Sequence, residues 1–232
     1  VKVQVIFPAA GRGTRLGAGI PKSRCLVGGV PLFVYAMRTF QSVGWLEGCI
    51  LAVPPEERHI FDGLVRSNFP HLRYTRVDGG IERQDSVAAA LAAIDAETEI
   101  VAIHDVARPF VSEQVLRDVV EAAAQHGAAT VAVPVVDTIL EGDENGFLAN
   151  TPNRARLWAC QTPQVFRREV ILRTYAYAAQ TATRATDDAT LAHRAGAHVK
   201  IVRGTQENFK ITTPFDLAVA EWLVASKRRG DT

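Results

Sequence analysis

The sequence predicts an α/β sandwich with a mostly parallel central sheet and a protruding β-arm, and three observations lead there. Short continuous apolar runs at Val3 to Phe7, Cys49 to Val53, Ile100 to His104 and Ala128 to Val133 have the pattern of strands covered on both faces. Between and after them, Leu32 to Phe40, Glu56 to Val65, Ser86 to Ile94 and Val115 to Ala124 carry apolar residues at helical spacing, a βαβα alternation. One stretch, about 137–156, breaks this rhythm.

The first strand feeds a loop of small residues, Pro8-Ala9-Ala10-Gly11-Arg12-Gly13-Thr14-Arg15, which continues through Leu16-Gly17-Ala18-Gly19-Ile20 to Pro21-Lys22. Successive small residues let backbone N–H groups converge on anionic oxygens, and Arg12, Arg15 and Lys22 add positive charge. It matches neither common phosphate fingerprint. A Walker A loop needs Gly-Lys-Ser/Thr at its end, and the dinucleotide pattern needs Gly or Ala where Leu16 stands. What is left is a loop that wraps a nucleoside triphosphate and holds cations near its α-phosphate, or a flexible turn that is basic by chance.

Farther on, Asp78-Gly79-Gly80 joins a strand to a helix, where paired glycines either make a turn or admit a base or ribose close to the backbone. His104-Asp105-Val106-Ala107-Arg108-Pro109 lies at a strand's carboxyl end, where open α/β sheets bind ligands. Asp105 and Arg108 read either as a local ion pair or as partners for a metal or hydroxyl and for a phosphate. Ser112 is placed to cap the helix that Gly127 ends, and Thr213-Pro214-Phe215-Asp216 reads as another helix start.

In the divergent stretch, Asp143-Glu144-Asn145-Gly146 between two short apolar runs reads as a hairpin. An exposed two-stranded arm is marginal by itself, so homodimerisation through it is expected. Thr138, Arg154 and Thr162 add polar density around the arm and the Leu157-to-Gln164 run, in which Trp158 reads as core or interface packing. Asn208-Phe209-Lys210-Ile211-Thr212 reads as strand-like, with Lys210 a costly charge unless it faces an anion. Lys227-Arg228-Arg229 reads as a solvated helix end.

The bulk properties restrict the partners. At 232 residues the chain is expected to form one domain, 1–232, with the arm as an excursion. Twenty-six basic residues against 25 acidic ones leave a formal charge of +1, so no overall field favours nucleic acid or an anionic membrane. Three separated cysteines without C-x-x-C pairing suit a reducing compartment, and the histidines show no zinc-ligand spacing with them. With neither a signal-peptide pattern nor an apolar run of spanning length, the expected location is cytoplasmic.

Taken in order, Pro-Ala-Ala-Gly-x-Gly-x-Arg with Pro-Lys, Gly-Gly-x-x-Arg-x-x-Ser-Val, His-Asp-x-Ala-Arg-Pro, Asp-Thr, Arg-x-x-Leu-Trp, Thr-Pro-Gln and Lys-Ile-Thr resemble the 2-C-methyl-D-erythritol 4-phosphate cytidylyltransferase family. The resemblance runs from residue 5 to about residue 222; Ser23-Arg24-Cys25 departs from a polar-aromatic pair frequent there. It implies a Rossmann-like nucleotidyltransferase sandwich that moves CMP from CTP to the acceptor's 4-phosphate, with Mg²⁺ held mainly by the CTP phosphates and Asp105 as a further ligand candidate.

By the same resemblance, Arg15 and Lys22 stabilise the transition state, while Arg154 and Lys210 position the attacking phosphate. Pro8, Ala9, Ala10, Gly11, Gly13, Gly79, Gly80, Ser86 and Asp105 would bind the nucleotide. Asp105, Arg108, Thr138, Arg154, Thr162 and Lys210 would bind the acceptor, partly across a dimer interface. Two alternatives stand beside it. Ribitol 5-phosphate is the competing acceptor, for which a glycine in place of Ala10 is expected, and a non-catalytic nucleotide-binding module is the other use of the same fold.

Overall fold

The computed structural model describes residues 1–11 and 25–230, with side chains through Lys227. Strands β1 (Val3–Pro8), β2 (Leu26–Val27) and β3 (Val30–Pro31) lead into helix α1 (Leu32–Ser42) and strand β4 (Leu46–Val53). Next come α2 (Arg58–Asn68), β5 (Tyr74–Asp78), α3 (Arg83–Leu91), β6 (Ile100–Ile103), α4 (Glu113–His126) and β7 (Ala128–Pro134). The arm carries β8 (Glu141–Gly142) and β9 (Leu148–Asn150), followed by β10 (Trp158–Arg167), α5 (Arg168–Thr181), α6 (Asp188–Arg194), β11 (Lys200–Arg203) and α7 (Pro214–Gly230).

Among the described residues the main sheet has seven strands in the order β11-β7-β10-β6-β1-β4-β5. Strand β10 runs antiparallel to both β6 and β7, and the remaining neighbours pair in parallel. The sheet is buried on both faces because its central strands are apolar at almost every position. Val5 and Phe7 point into a core with Phe33, Met37 and Phe40 of α1 and Val119 of α4. Ile6 points the other way, into a core with Val87 of α3, Ile171 of α5 and Ala192 of α6.

Local signals set the element ends. Ser112 Oγ accepts from the Val115 amide at 3.3 Å, and Gly127 closes α4 at φ +90°, a conformation that favours glycine. Asp216 accepts from the Thr212 and Thr213 amides at 2.8 Å, and its own amide donates to Thr213 Oγ1 at 3.2 Å. Helix α3 starts at Arg83 rather than Ser86, because Glu82 and Asp85 form a capping box ahead of the apolar positions.

Two expectations are corrected. The 208–212 stretch is not a strand. It leaves a 3₁₀ turn at Gln206–Asn208 and gives the Ile211 amide to the Ala107 carbonyl at 2.8 Å. Its buried Asn208 and Ile211 are inward-facing loop anchors. Of the two readings of Trp158, core packing does not hold and interface packing is left: the side chain sits 39% exposed at the start of β10. The arm forms as expected, β8 pairing antiparallel with β9. Asp143 Oδ1 accepts from the Asn145 and Phe147 amides at 2.9 and 2.8 Å, and Gly146 takes φ +83°.

Candidate active site

The carboxyl ends of β6, β1, β4 and β5 are pinned side by side, in that order, by backbone hydrogen bonds that continue past the strands. The Ala9 amide donates to Ala52 O at 2.8 Å, that of Gly79 to Val53 O at 2.9 Å, and that of His104 to Ile6 O at 3.0 Å. The loops after β1 and β5 meet across the end of β4. A Cβ built on Gly79 would lie 2.1 Å from Ala10 Cβ, and one on Gly80 would lie 2.3 Å from Asp85 Cβ. Both glycines are required by close approach. Ser86 Oγ locks the turn, accepting from the Gly80 amide at 3.0 Å and donating to Glu82 O at 3.2 Å.

Beside this wall sits a charge cluster centred on the buried Asp105. Asp105 Oδ1 accepts from Arg83 Nε at 3.0 Å, and its Oδ2 accepts from Lys210 Nζ at 2.6 Å. Arg83 continues to Asp188 at 2.7 Å, where Tyr175 also donates at 2.6 Å. Burial by itself would push the Asp105 carboxyl up, but Arg83 and Lys210 hold it well below the usual carboxylate range. Burial likewise opposes the Arg83 charge, and Asp188 and Asp105 outweigh it, locking the guanidinium as a cation.

Arg108 points the same way, donating to Asn208 O at 2.8 Å and Cys160 O at 3.1 Å. Its Nε and Arg83 Nη2 are buried donors with no partner among the described residues. Buried donors left open on two cations are costly unless an acceptor arrives, and phosphate oxygens have that character. Thr162 is also buried here, its hydroxyl oxygen 3.0 Å from both the Asp105 amide and His104 Nδ1.

The sequence-derived set is thus partly assembled. Ala10, Gly79, Gly80 and Ser86 pack into one wall, with Pro8, Ala9 and Gly11 flanking Ala10 along the chain, and Asp105, Arg108, Thr162 and Lys210 come together beside it. Thr138 and Arg154 stand apart on the exposed arm, where Arg154 Nη1 donates to Val136 O at 2.6 Å. Gly13, Arg15 and Lys22 lie outside the described residues. Arg83, given no role from the sequence, is central; its signal was a cation three residues after Gly80 in a segment already marked as a ligand loop. His104, Asn208 and Asp188 were missed too, being recognisable only through their partners.

Among the described residues no three His, Cys, Asp or Glu side chains converge to hold a metal ion. Both Asp105 oxygens are already engaged by cations, so these donors do not fit a protein-held Mg²⁺.

A mixed sheet that presents a small-residue wall and three half-buried cations at its carboxyl edge has the character of a nucleotidyltransferase. The family model described as IspD, 2-C-methyl-D-erythritol 4-phosphate cytidylyltransferase, matches residues 3–226, and the chain belongs to that family. It is 39% identical over 222 residues to the enzyme of that name from Caldanaerobacter subterraneus subsp. tengcongensis, covering 95% of this chain and 98% of the relative. With the Symbiobacterium thermophilum enzyme it shares 42% identity over 231 residues, 99% of this chain and 95% of that one. The crystal structure of the Thermus thermophilus enzyme superposes with a TM-score of 0.80 at 34% identity, covering 96% of this chain and 98% of that one.

Proposed function

We propose that the protein transfers CMP from CTP to the 4-phosphate of 2-C-methyl-D-erythritol 4-phosphate, forming 4-diphosphocytidyl-2-C-methyl-D-erythritol and pyrophosphate in the non-mevalonate isoprenoid pathway. The observation that carries this reading is the Asp105–Arg83–Lys210 cluster with the open donors of Arg83 and Arg108 beside the Gly79–Ala10 wall.

A phosphate monoester is already a nucleophile at neutral pH, so no deprotonating base is needed. One of its oxygens forms the new P–O bond at the α-phosphorus, and the bond to the β-phosphate breaks with the electron pair leaving on pyrophosphate. The protein must align the two and neutralise growing charge. Arg15 and Lys22 supply charge at the α-phosphate. Lys210 and Arg154 place the attacking phosphate, with Arg108 and Thr138 at the same site. The 8–11 segment, Gly13, Gly79, Gly80, Ser86 and Asp105 hold the nucleotide, Asp105 through one of its hydroxyls. Thr162 forms pocket wall, since its hydroxyl is already engaged. Mg²⁺, when bound, neutralises triphosphate charge as the counter-ion of CTP, and no step here depends on a protein-held ion.

The arm supports a homodimer. Val136, Leu140, Phe147 and Leu148 are exposed apolar side chains around it, more than a solvated hairpin needs. Sedimentation at micromolar concentration should give twice the 25.2 kDa chain mass, and a monomer would refute the arm's role. No helix among the described residues is long and apolar enough to cross a membrane. Cys49 and Cys160 are free thiols, in keeping with a cytoplasmic enzyme.

The deciding experiment is pyrophosphate release from CTP and Mg²⁺ with 2-C-methyl-D-erythritol 4-phosphate and ribitol 5-phosphate in parallel. Preference for the first is expected. Preference for the second would keep the chemistry and overturn the acceptor, and CTP binding without release under either would leave a binding module.

A further inference from the structure

We propose that His104 is a positioning residue that holds the nucleotide-side Asp105 and the acceptor-side Arg108 in register through two separate hydrogen bonds of one neutral ring. The inference rests on the roles given above to Asp105 and Arg108. The ring is fully buried, with its plane set by Phe7 (centroids 6.0 Å, edge-on at 87°) and Phe40 (5.3 Å). Neither phenylalanine offers a polar atom, so both ring nitrogens depend on the two polar contacts that remain.

Those contacts determine the tautomer. His104 Nε2 lies 2.9 Å from the Arg108 carbonyl oxygen, which can only accept, so Nε2 carries the proton. Nδ1 must then accept, and its neighbour at 3.0 Å is Thr162 Oγ1, so the threonine hydroxyl donates to the ring. The same Oγ1 accepts the Asp105 amide proton at 3.0 Å. The result is a one-way series: Asp105 N–H to Thr162 Oγ1, Thr162 O–H to His104 Nδ1, and His104 Nε2–H to Arg108 O. Reversing any member would leave a buried donor facing a donor.

The charged groups around the ring are Asp105, Arg108 and Arg83, and burial pushes the imidazole down to about 4, so the neutral form persists at working pH. The 105–108 turn is closed by the Arg108 amide donating to Asp105 O at 2.9 Å. That bond fixes the turn's width and the Ile211 amide holds its Ala107 carbonyl at 2.8 Å, while the ring ties its two ends to each other through Thr162. His104 touches neither ligand site, and its effect passes through the backbone at both ends of the turn.

The two ends can be cut separately. His104→Asn keeps an amide group near the Nδ1 position but withdraws from the Arg108 carbonyl. His104→Gln reaches the Nε2 position but leaves Thr162 without its acceptor. Steady-state kinetics should show His104→Asn raising KM for the methylerythritol phosphate about tenfold with KM for CTP within about twofold of wild type. His104→Gln should do the reverse. Thr162→Val, with the ring intact, should move the CTP side as His104→Gln does, and it decides the matter if the histidine variants do not fold.

Equal changes in both constants, no change in either, or the opposite pairing of variant and substrate would each overturn the proposal. If the wild type released no pyrophosphate, the functional reading would fall by itself. Calorimetric CTP affinity would then judge His104 independently, a loss in His104→Gln but not in His104→Asn sustaining the role and any other pattern ending it.

Discussion

Gly79→Ala is the substitution for which the fold makes the sharpest prediction. The new Cβ would stand 2.1 Å from Ala10 Cβ, 3.2 Å from Ser86 Oγ and 3.5 Å from Ala10 Cα. Carbon atoms in ordinary contact sit about 3.5–4.0 Å apart, so the two loops must separate by roughly 1.5 Å. The Gly79 amide is held to Val53 O at 2.9 Å, and the adjoining Gly80 amide to Ser86 Oγ at 3.0 Å, so the wall cannot part without breaking a hydrogen bond.

Overpacking of this kind costs about 1–3 kcal/mol, and a displacement near 1 Å at a positioned ligand can cost about 10²-fold in rate. We expect kcat/KM for CTP to fall by roughly 10- to 100-fold. The melting temperature should drop by roughly 2–4 °C for each kcal/mol lost. The added methyl has a partner that can be removed. In the Ala10→Gly/Gly79→Ala pair the tightest remaining contacts are 3.2 Å to Ser86 Oγ and 3.5 Å to Ala10 Cα, so the double variant should recover most of both losses. A Gly79→Ala enzyme indistinguishable from wild type, or a double variant no better than the single one, would refute the steric argument.

Arg83→Met removes the cation shared by Asp105 and Asp188, two buried carboxylates, and should cost about 3–5 kcal/mol in urea unfolding at pH 7; a loss under about 1 kcal/mol would mean the cluster is more hydrated than its burial indicates. His104 should make the fold acid-sensitive. Its value is depressed to about 4 in the folded protein against an ordinary value of 6.5, so the unfolded chain binds the extra proton. Stability should therefore fall as pH drops from 6.5 towards 4, by up to roughly 3 kcal/mol, with urea midpoints less pH-dependent in His104→Gln. Asp105 adds a second loss in more acidic solution, since its depressed carboxyl contributes stability above its ordinary value of 3.8 and loses it on protonation. Lys22→Ala should lower kcat by about 10²- to 10³-fold, and an unchanged kcat would remove it from the transition state. The exposed Arg154, by contrast, should on change to Ala raise the acceptor's KM and leave the chain's own stability within about 0.5 kcal/mol; movement of the CTP constant alone would contradict its placement.

What could be read without coordinates was whatever local chemistry determines. Strands β1, β4, β6 and β7 announce themselves because a strand buried on both faces is apolar almost throughout. The caps at Ser112 and Thr213 and the Asn145-Gly146 turn are legible because their partners lie within four residues. The ordered motifs likewise carried the family. Strand β10 was not read as one, because its first residues are exposed and Pro163 interrupts the pattern, with the register on β7 shifting between Cys160 and Gln164. The edge strand β11 is largely exposed and lacks a buried run.

Only the tertiary structure decided the partners. Gly79 reads as a turn residue until the fold carries it over the end of β4 onto Ala10, a contact between residues 69 apart. Arg83 has no role in the sequence until Asp105 and Asp188 close on it from 22 and 105 residues away. His104 looks like the end of a strand until Thr162, 58 residues on, supplies the hydroxyl that fixes its tautomer. Periodicity and capping act over a few residues and are written into adjacent letters, whereas charge pairing, steric exclusion and hydrogen-bond direction depend on distance in space, which exists only once the sheet has brought its loops to a common edge.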